Sequence, residues 1–181
     1  MSPSLQRVLV IGSSCVGKST FARALADAAS LPYVELDQLF WGPNWTAKPL
    51  EEFRSLVDRA SAAERWVVEG NYGDVRDVLW PRAGVVIWLN YTFPVIFWRA
   101  MRRTVFRNIT RQELWSGNRE SFTRSFLSRE SILVWVVTTF RRRRKQFEAL
   151  RASGSFPQLA WLEFTHPNQA QEFLRQVHNA G

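Results

Sequence analysis

One short segment near the start of the chain constrains the fold more than any other feature. Residues Gly12 to Ser19 have the order Gly, four residues, Gly, Lys, Ser. A β-branched run, Val8 to Ile11, precedes the segment and a stretch of helical character, Phe21 to Ala29, follows it, so the chain is predicted to open as strand, tight turn and helix. Glycine lets the backbone curl without a clashing Cβ, and the amides at a helix start carry partial positive charge. The segment therefore predicts a backbone cradle for an anion.

The same segment matches the phosphate-binding pattern G-x-x-x-x-G-K-[ST] in the structural context that the pattern requires. In this pattern loop amides surround a chain of phosphates, the lysine reaches the β- and γ-phosphates, and the hydroxyl binds Mg²⁺. We therefore predict a catalytic role for Lys18 and a metal-binding role for Ser19, and we interpret Cys15 as a small filler residue. The residues predicted to bind the nucleotide are Gly12, Ser13, Ser14, Cys15, Val16, Gly17, Lys18, Ser19 and Thr20.

The remainder of the chain alternates predicted strands and helices. The strands are nearly unbroken apolar runs, which is typical of strands buried on both faces of a sheet. After the first strand they lie at Tyr33 to Leu36, Trp66 to Val68, Val85 to Leu89 and Leu159 to Phe164. The longer helices are predicted at Leu50 to Ala63, Pro94 to about Asn108 and Ser128 to Leu150, with a closing helix capped by Asn168. This alternation predicts an α/β three-layer sandwich, a five-stranded parallel sheet with helices on both faces. The length of 181 residues predicts a single domain, residues 1–181.

Positive charge is concentrated in one part of the sequence. The chain has a net charge of +8, and residues 96–151 alone carry 14 basic and 4 acidic side chains, a net charge of +10. Such a segment predicts an anionic partner. Arginines recur every fourth residue at Arg99, Arg103, Arg107 and Arg111, so a helix places them in one stripe where a bound anion would offset their mutual repulsion. A solvated basic face is the alternative. Arg141 to Arg144 are consecutive and therefore point around a helix.

Two carboxylates follow predicted strands. Asp37 comes after the second strand and Glu69 ends the third. In a parallel sheet both emerge at the same carboxyl edge as the glycine-rich loop, so we expect them near the phosphates. A helix cap or a turn former is the alternative for Asp37. The fourth strand ends in Asn90, where an aspartate would be the commoner partner of Mg²⁺.

Aromatic and polar residues lie close to these carboxylates in the sequence. Phe40, Trp41 and Trp45 follow Asp37 closely. They are suited to stacking on a planar acceptor, but packing in the core or against a lid is the more common role of such aromatics. Asn71 and Tyr72 are candidate polar contacts to the acceptor.

Six motifs spread over nearly the whole chain point to a family. They are Gly12 to Thr20, Leu36 to Trp41 with Pro43 to Trp45, Val68 to Tyr72, Val75 to Asp77, Leu114 to Asn118 and Leu127 to Arg129. Together they resemble the adenylate-kinase-like P-loop proteins, and within that group the proteins labelled DNA topology modulation proteins. The resemblance implies a nucleoside-monophosphate-kinase core, ATP as the phosphoryl donor, and a short arginine-bearing lid at about residues 108–128.

The resemblance also implies roles for individual residues. Glu69 would hold a water of the Mg²⁺ shell, and Asp37 would orient or deprotonate the acceptor hydroxyl. One of the lid arginines would fold over ATP and neutralise charge on the transferred phosphoryl group. The candidates for this role are Arg103, Arg107 and Arg111. Phe40, Trp41, Asn71 and Tyr72, with Asp37, form the predicted acceptor site.

Two functions are compatible with these features. The first is an ATP-dependent kinase acting on a small acceptor such as a nucleoside, a nucleotide or another metabolite. The second is a nucleotide-gated protein that binds nucleic acid through residues 96–151 and affects DNA topology; a polynucleotide 5′-kinase would combine the two. We favour the kinase because a triphosphate already accounts for the concentrated positive charge.

The sequence also bears on location and assembly. It contains one cysteine, has no leader of secretory type, and its longest apolar run, Ile132 to Val137, is far shorter than the roughly 20 residues that cross a bilayer. We therefore expect a cytoplasmic protein without a membrane span, and either a monomer or a homodimer.

Overall fold

The computed structural model describes residues 5–110 and 132–180, with the side chains of all these residues except 107–110, 132–136 and 180. The strands are β1 (Arg7–Gly12), β2 (Tyr33–Glu35), β3 (Trp66–Glu69), β4 (Val85–Leu89) and β5 (Ala160–Phe164). The α-helices are α1 (Lys18–Ala28), α2 (Leu36–Phe40), α3 (Leu50–Ala60), α4 (Arg76–Leu79), α5 (Phe93–Thr110), α6 (Ile132–Ala152) and α7 (Pro167–Ala180), and 3₁₀ turns lie at Pro43–Trp45 and Gly73–Val75.

The five strands form one parallel sheet in the order β2-β3-β1-β4-β5. β1 is central, because it pairs with β3 on one side and with β4 on the other. Each strand is followed by a helix or a turn at the same carboxyl edge of the sheet. The order changes direction beside β1, and ligands of open α/β sheets bind at such a switch point. The α/β sandwich predicted from the sequence is confirmed.

The core has two layers, one on each face of the sheet. Val8 and Val10 of β1 belong to the layer packed against α1, α5 and α7, whereas Leu9 and Ile11 belong to the layer packed against α3 and α6. Successive residues of a strand point to opposite faces, so a strand covered on both sides is apolar at every position. This explains the unbroken apolar runs in the sequence.

Several element boundaries differ from the prediction. α1 begins at Lys18 rather than Phe21, because Gly17 adopts a left-handed conformation (φ 102°) and ends the loop directly before it. β2 ends at Glu35, and Leu36 opens the short helix α2, so Asp37 lies in the first turn of a helix. α5 continues to Thr110, so the start of the predicted lid is helical, and residues 111–128 lie outside the described residues.

The closing helix also begins differently from the prediction. Asn168 is not its cap, because α7 starts one residue earlier, at Pro167. The side-chain oxygen of Gln169 instead accepts hydrogen bonds from the backbone N–H groups of Thr165 (2.8 Å) and His166 (3.1 Å). Proline fits the first helical position because it has no N–H group to satisfy.

None of the helices that the structure describes combines the length and the apolar character needed to cross a bilayer.

Candidate functional site

The loop between β1 and α1 has the backbone conformation of an anion cradle. Cys15 and Gly17 both have positive φ, 62° and 102°. A positive φ is unusual for a residue with a Cβ, so the loop holds Cys15 in a conformation that few side chains adopt. Lys18 opens α1, and its Nζ donates to the carbonyl oxygen of Ser13 at 3.3 Å. The amino group thus lies over the loop at the helix N-terminus, where phosphate oxygens are favoured.

The two glycines of the loop are required by the protein itself as well as by a ligand. A Cβ on Gly12 would lie 2.6 Å from the carbonyl oxygen of Leu89 in β4. A Cβ on Gly17 would lie 2.9 Å from a guanidinium nitrogen of Arg99. The sequence predicted these glycines as space for phosphate. The structure adds that one lets β1 and β4 approach and the other makes room for an arginine of α5.

The proposed magnesium ligands are in contact. Ser19 Oγ, in the first turn of α1, donates to Glu69 Oε1 at the end of β3, at 2.8 Å. A hydroxyl and a carboxylate oxygen are ligands that suit Mg²⁺. The described residues contain no cluster of three or more His, Cys, Asp and Glu side chains able to hold a metal. A cation bound here would therefore draw its remaining ligands from phosphate and water, as Mg²⁺ in nucleotide sites usually does.

Burial changes the acidity of Glu69. The side chain is 3% exposed, and its burial raises the pKa of Glu69 to about 7. Lys18 and the hydrogen bond from Ser19 oppose this rise, whereas the charges of Glu35 and Asp37 add to it. A bound cation would favour the charged form of Glu69, so the desolvated carboxylate fits a metal at this position.

The sequence did not single out Glu35, which the sheet places beside Glu69. Glu35 pairs with Glu69 across β2 and β3 and is only 7% exposed. Arg23 of α1 lies 3.7 Å from its carboxylate. An acidic residue at an inward position of a strand was the available signal, but its significance depends on the register of two strands far apart in the sequence.

Asp37 and Tyr72 form the polar part of the opposite end of the site. The hydroxyl of Tyr72 donates to Asp37 Oδ1 at 2.6 Å. Burial, followed by the charge of Asp37, raises the pKa of Tyr72 above its ordinary value, so the phenol stays a hydrogen-bond donor. This bond fixes the orientation of the carboxylate that we predicted to act on the acceptor hydroxyl.

Asn71 contacts the loop. Its Nδ2 donates to the carbonyl oxygen of Gly12 at 2.6 Å, and its Oδ1 accepts from the N–H of Gly12 at 3.3 Å. Both ends of the amide are thus used to hold the start of the loop. A contact between Asn71 and an acceptor stays a prediction, and its structural role is to brace Gly12.

The aromatic residues after Asp37 pack on one another. The ring of Phe40 lies 4.8 Å from that of Tyr72 and 5.1 Å from that of Phe53, between ring centroids. Trp41 lies 4.8 Å from Phe40 and 5.8 Å from Trp45. This network supports the packing role that the sequence favoured for these aromatics. A stacking contact of Phe40 or Trp41 with an acceptor stays a prediction.

Two arginines of α5 contact the loop from the other side. Arg99 donates to the carbonyl oxygen of Val16, and its guanidinium carbon lies 5.1 Å from the ring centroid of Tyr91. Arg103 Nη1 lies 3.8 Å from Cys15 Sγ. The predicted arginine stripe thus begins at the loop. A catalytic role of Arg103 stays a prediction, and the side chain of Arg107 and all of Arg111 lie outside the described residues.

Asn90 has a structural role at the end of β4. Its Nδ2 donates to Glu163 Oε1 of β5 at 2.7 Å, and Arg151 Nη1 donates to the other oxygen of Glu163 at 3.0 Å. The residue that replaces the expected aspartate is therefore bonded within the sheet, and Glu69 is the carboxylate that contacts Ser19.

The arginine run of α6 is divided between solvent and the interior. Arg141 and Arg142 are exposed, Arg143 is half-buried, and Arg144 pairs with Glu148 at 3.0 Å. The prediction that consecutive arginines point around the helix is therefore confirmed.

Solved structures of similar fold include kinases. A shikimate kinase from Bacteroides thetaiotaomicron aligns with a TM-score of 0.57 and 15% identity over 98% of both chains. A gluconokinase from Sinorhizobium meliloti 1021 aligns with a TM-score of 0.54 and 17% identity over 98% of this chain and 92% of its own. A shikimate kinase from Acinetobacter baumannii in complex with shikimate gives 0.56 and 12% over 98% and 93%.

No protein-family model matches the chain, and a search of curated proteins gives no match either. Identities this low support a shared fold and no more than that. The alignments cover this chain and its structural neighbours almost end to end. The chain therefore has the fold of P-loop NTPases, in the form that the solved structures of small kinases share.

Proposed function

We propose that the chain is an ATP-dependent kinase that transfers the γ-phosphoryl group of ATP to a hydroxyl of a small acceptor. One observation carries this proposal: the phosphate-binding loop and the Asp37–Tyr72 pair lie at the same sheet edge and are joined by adjacent residues, with Asn71 bonded to Gly12 and Tyr72 bonded to Asp37. A phosphate site held at a fixed separation from an oriented carboxylate is the arrangement that phosphoryl transfer to a hydroxyl requires. The structural neighbours, a shikimate kinase and a gluconokinase, agree with it.

The residues of the chain would divide the work as follows. The loop amides and Lys18 bind the phosphate chain and counter charge that spreads over the transferred group. Ser19 would bind Mg²⁺ and Glu69 would hold a water of its shell, and the ion would supply a further positive charge to the phosphates. Asp37 accepts the proton of the acceptor hydroxyl, and Tyr72 keeps the carboxylate oriented. Arg103, Arg107 or Arg111 would add charge neutralisation from α5 and the lid.

The proposal also includes a state in which a lid closes over the site. We assign residues 1–181 to a single domain in which about residues 108–128 form a lid that excludes water before transfer. Exclusion matters because an open phosphate site would lose ATP to hydrolysis. The single cysteine, in the loop, favours the reducing cytoplasm as the location.

The direct test is ATP turnover with a panel of nucleosides, nucleotides and small hydroxylated metabolites. We expect slow hydrolysis of ATP alone, strong stimulation by the correct acceptor, and loss of the stimulated rate in Lys18→Ala. Calorimetry with Mg²⁺ and ATP measures nucleotide binding separately. A chain that gives no heat with Mg²⁺ and ATP would contradict the proposal at its first step.

Nucleic-acid binding is the second candidate, and it is favoured by the exposed arginines on α5 and α6. Arg102, Arg141 and Arg142 form no ion pair within the part of the chain that the structure describes. Binding through such arginines should weaken steeply as salt rises, because each phosphate contact releases counterions. A filter-binding series with a DNA duplex from low to roughly physiological salt tests it. Retained binding at the upper end would favour the alternative, and its absence would leave these arginines to solvent.

A further inference from the structure

Helices α5 and α6 carry most of the large apolar side chains that the described part of the chain exposes. Five of the six such side chains belong to these two helices; they are Phe97, Trp98, Val105 and Phe106 on α5 and Val137 on α6. The helices pack on each other, with 5.4 Å between the ring centroids of Phe93 and Phe140. Single exposed apolar residues are ordinary, whereas their concentration in one part of the surface indicates a binding face.

The two most exposed of these side chains flank an arginine. Trp98 is 66% exposed and Phe106 is 61% exposed, and Arg102, midway between them in the chain, is exposed as well. The three residues are spaced by four, so they lie on successive turns of α5, about 6 Å apart along its axis. We call them the α5 stripe. The stripe alternates an aromatic ring, a guanidinium group and a second aromatic ring.

The two helices contribute almost no negative charge to this surface. α5, Phe93–Thr110, contains no acidic residue, and the single acidic residue of α6, Glu148, pairs with Arg144 at 3.0 Å. α6 adds an exposed line of its own with the same four-residue spacing, formed by Val137, Arg141 and Lys145. Because cations and apolar groups share the surface without carboxylates from these helices, charge complementarity favours an anionic partner.

Two other occupants fit the α5 stripe poorly. A bilayer that took up both rings would draw Arg102 below the lipid headgroups, which is costly for a charged side chain. In a two-fold dimer centred on the stripe, the Arg102 guanidinium groups of the two copies would meet. Like charges in contact destabilise such an interface. The alternation of rings and charge therefore disfavours both a lipid surface and a second copy of the chain.

We propose that the α5 stripe binds single-stranded nucleic acid, with bases stacked on the rings of Trp98 and Phe106 and a phosphate held by Arg102 between them. A single strand offers both groups that the stripe can bind, because its base faces are accessible and its backbone is charged. In a duplex the base faces are stacked inside, and the grooves present only base edges. The inference is independent of the kinase proposal. It makes the nucleic-acid candidate specific by naming the strand form and the binding face.

The test measures binding of a labelled oligothymidylate to the full chain by fluorescence anisotropy, with a duplex of the same length as the comparison. Trp98→Ala removes one stacking surface, and Trp98→Phe keeps an aromatic ring. Leu50→Ala is the matched control, because Leu50 is 50% exposed on another helix, α3. Arg102→Gln removes the central charge, and Arg59→Gln, at an exposed position of α3, is its control.

We expect the wild type to bind the single strand more tightly than the duplex. Trp98→Ala should weaken binding of the single strand by about 10-fold or more, the loss typical of one stacked base, whereas Trp98→Phe and Leu50→Ala should retain the affinity. Arg102→Gln should reduce the salt dependence, the slope of log affinity against log salt, by about 0.7, the value for one phosphate contact to a single strand. Arg59→Gln should leave this slope unchanged. Because Trp98 is exposed, Trp98→Ala should melt at the temperature of the wild type.

Equal affinity for duplex and single strand, or equal affinities of Trp98→Ala and Leu50→Ala, would overturn the inference. Binding to phosphatidylserine vesicles that is lost in Trp98→Ala would assign the stripe to a lipid surface instead. A change of sedimentation coefficient from dimer to monomer in Trp98→Ala would assign it to a second copy. Either result also overturns the inference.

The kinase is judged by separate measurements on the same variants. Loss of oligothymidylate binding in Trp98→Ala with unchanged ATP turnover supports a nucleic-acid face that is distinct from the phosphate site. Lys18→Ala should bind oligothymidylate as the wild type does, because its substitution lies in the loop and outside the stripe. Failure of the wild type to bind ATP contradicts the kinase and leaves this inference standing.

Discussion

The glycine-rich loop and the acceptor end of the proposed site, at Asp37, differ in how their residues are brought together. The loop is one continuous segment, Gly12 to Ser19, and side chains from β3, the segment after it and α5 contact it from elsewhere. The acceptor end takes Asp37 from α2, Phe53 from α3 and Tyr72 from the segment after β3, which are three separate parts of the chain. A cradle made by the backbone needs particular residues at fixed spacing. A binding site formed by side chains from distant elements requires only that these elements pack together, so many different sequences can form it.

This difference explains why a sequence motif identifies the proposed nucleotide site, whereas no motif identifies the proposed acceptor. The following predictions test whether the two ends are separable in this way, beginning with the largest expected effect.

Lys18→Ala should abolish the function of the glycine-rich loop and leave the Asp37–Tyr72 pair unchanged. Removal of a cation aimed at the phosphates is expected to lower kcat/KM for ATP by about 10³-fold. Steady-state ATP turnover with the stimulating acceptor measures the loss. Lys48→Ala is the matched control, because Lys48 forms a surface pair with Glu52. If both variants lose activity equally, the loop is not the site of the phosphates.

Glu69→Gln tests the cost of burying a carboxylate beside the loop. The pKa of Glu69 is about 7 in the folded chain, against an ordinary value of 4.5. The raised value means that the charged form is penalised by folding. The wild type therefore loses stability as pH rises from about 4.5 to about 7, with a difference that amounts to about 3 kcal/mol above this window.

Chemical denaturation at pH 4.5 and pH 8 measures this effect. Glu69→Gln should be more stable than the wild type at pH 8 and lose that advantage toward pH 4.5. Glu64→Gln, at an exposed position, serves as the control and should show no such pH dependence. Binding of Mg²⁺ and ATP should release protons from the wild type near pH 7, which calorimetry in buffers of different ionisation enthalpy detects. A pH-independent difference between Glu69→Gln and the wild type would contradict the buried, proton-binding carboxylate.

Asp37→Asn should damage the acceptor end alone. Loss of a general base is expected to lower kcat by about 10²-fold or more, with the affinity for ATP unchanged. Asp27→Asn, on the exposed face of α1, controls for the loss of one negative charge. Calorimetry with ATP and rapid-quench kinetics separate binding from transfer. A variant that binds ATP as poorly as it transfers would mean that the two ends are not separable.

Gly12→Ala is expected to have the smallest effect, and it acts on folding. Its Cβ would meet the carbonyl oxygen of Leu89 at 2.6 Å, in a backbone conformation with φ 150°, so we expect a loss of stability of about 2 kcal/mol. Gly84→Ala is the control, because a Cβ there meets nothing within 4 Å. Urea denaturation of both variants gives the comparison. Equal stability of the two would show that strand packing imposes no requirement on Gly12.

The fold was largely predictable from the sequence, and the reasons are local. Strands buried on both faces are apolar at every position, and the glycine-rich loop fixes the first strand and helix. The boundaries that were missed depend on single backbone conformations, such as that of Gly17, which moves the start of α1 to Lys18.

The candidate site was predictable only in part. The contact between Ser19 and Glu69 follows from two strand ends meeting at one sheet edge, a rule that holds for any parallel sheet. The proximity of Glu35 to Glu69 does not follow from any local pattern, because it depends on the register of two strands that are far apart in the sequence. Asn71 illustrates the same limit: no local pattern indicated the hydrogen bonds of its amide with Gly12, and its contact with an acceptor stays a prediction.

Asn71 and Tyr72 are consecutive in the chain. Asn71 donates a hydrogen bond to Gly12 of the loop, and Tyr72 donates one to the carboxylate of Asp37. In the proposed kinase, these two adjacent residues therefore fix the separation between the donor site and the acceptor site. The number of residues between these two hydrogen bonds cannot change without an insertion or a deletion, so the covalent backbone sets the separation that the proposed phosphoryl transfer would have to span. A new acceptor specificity would then evolve by substitution of the surrounding residues, while the hydrogen bonds of Asn71 and Tyr72 are retained.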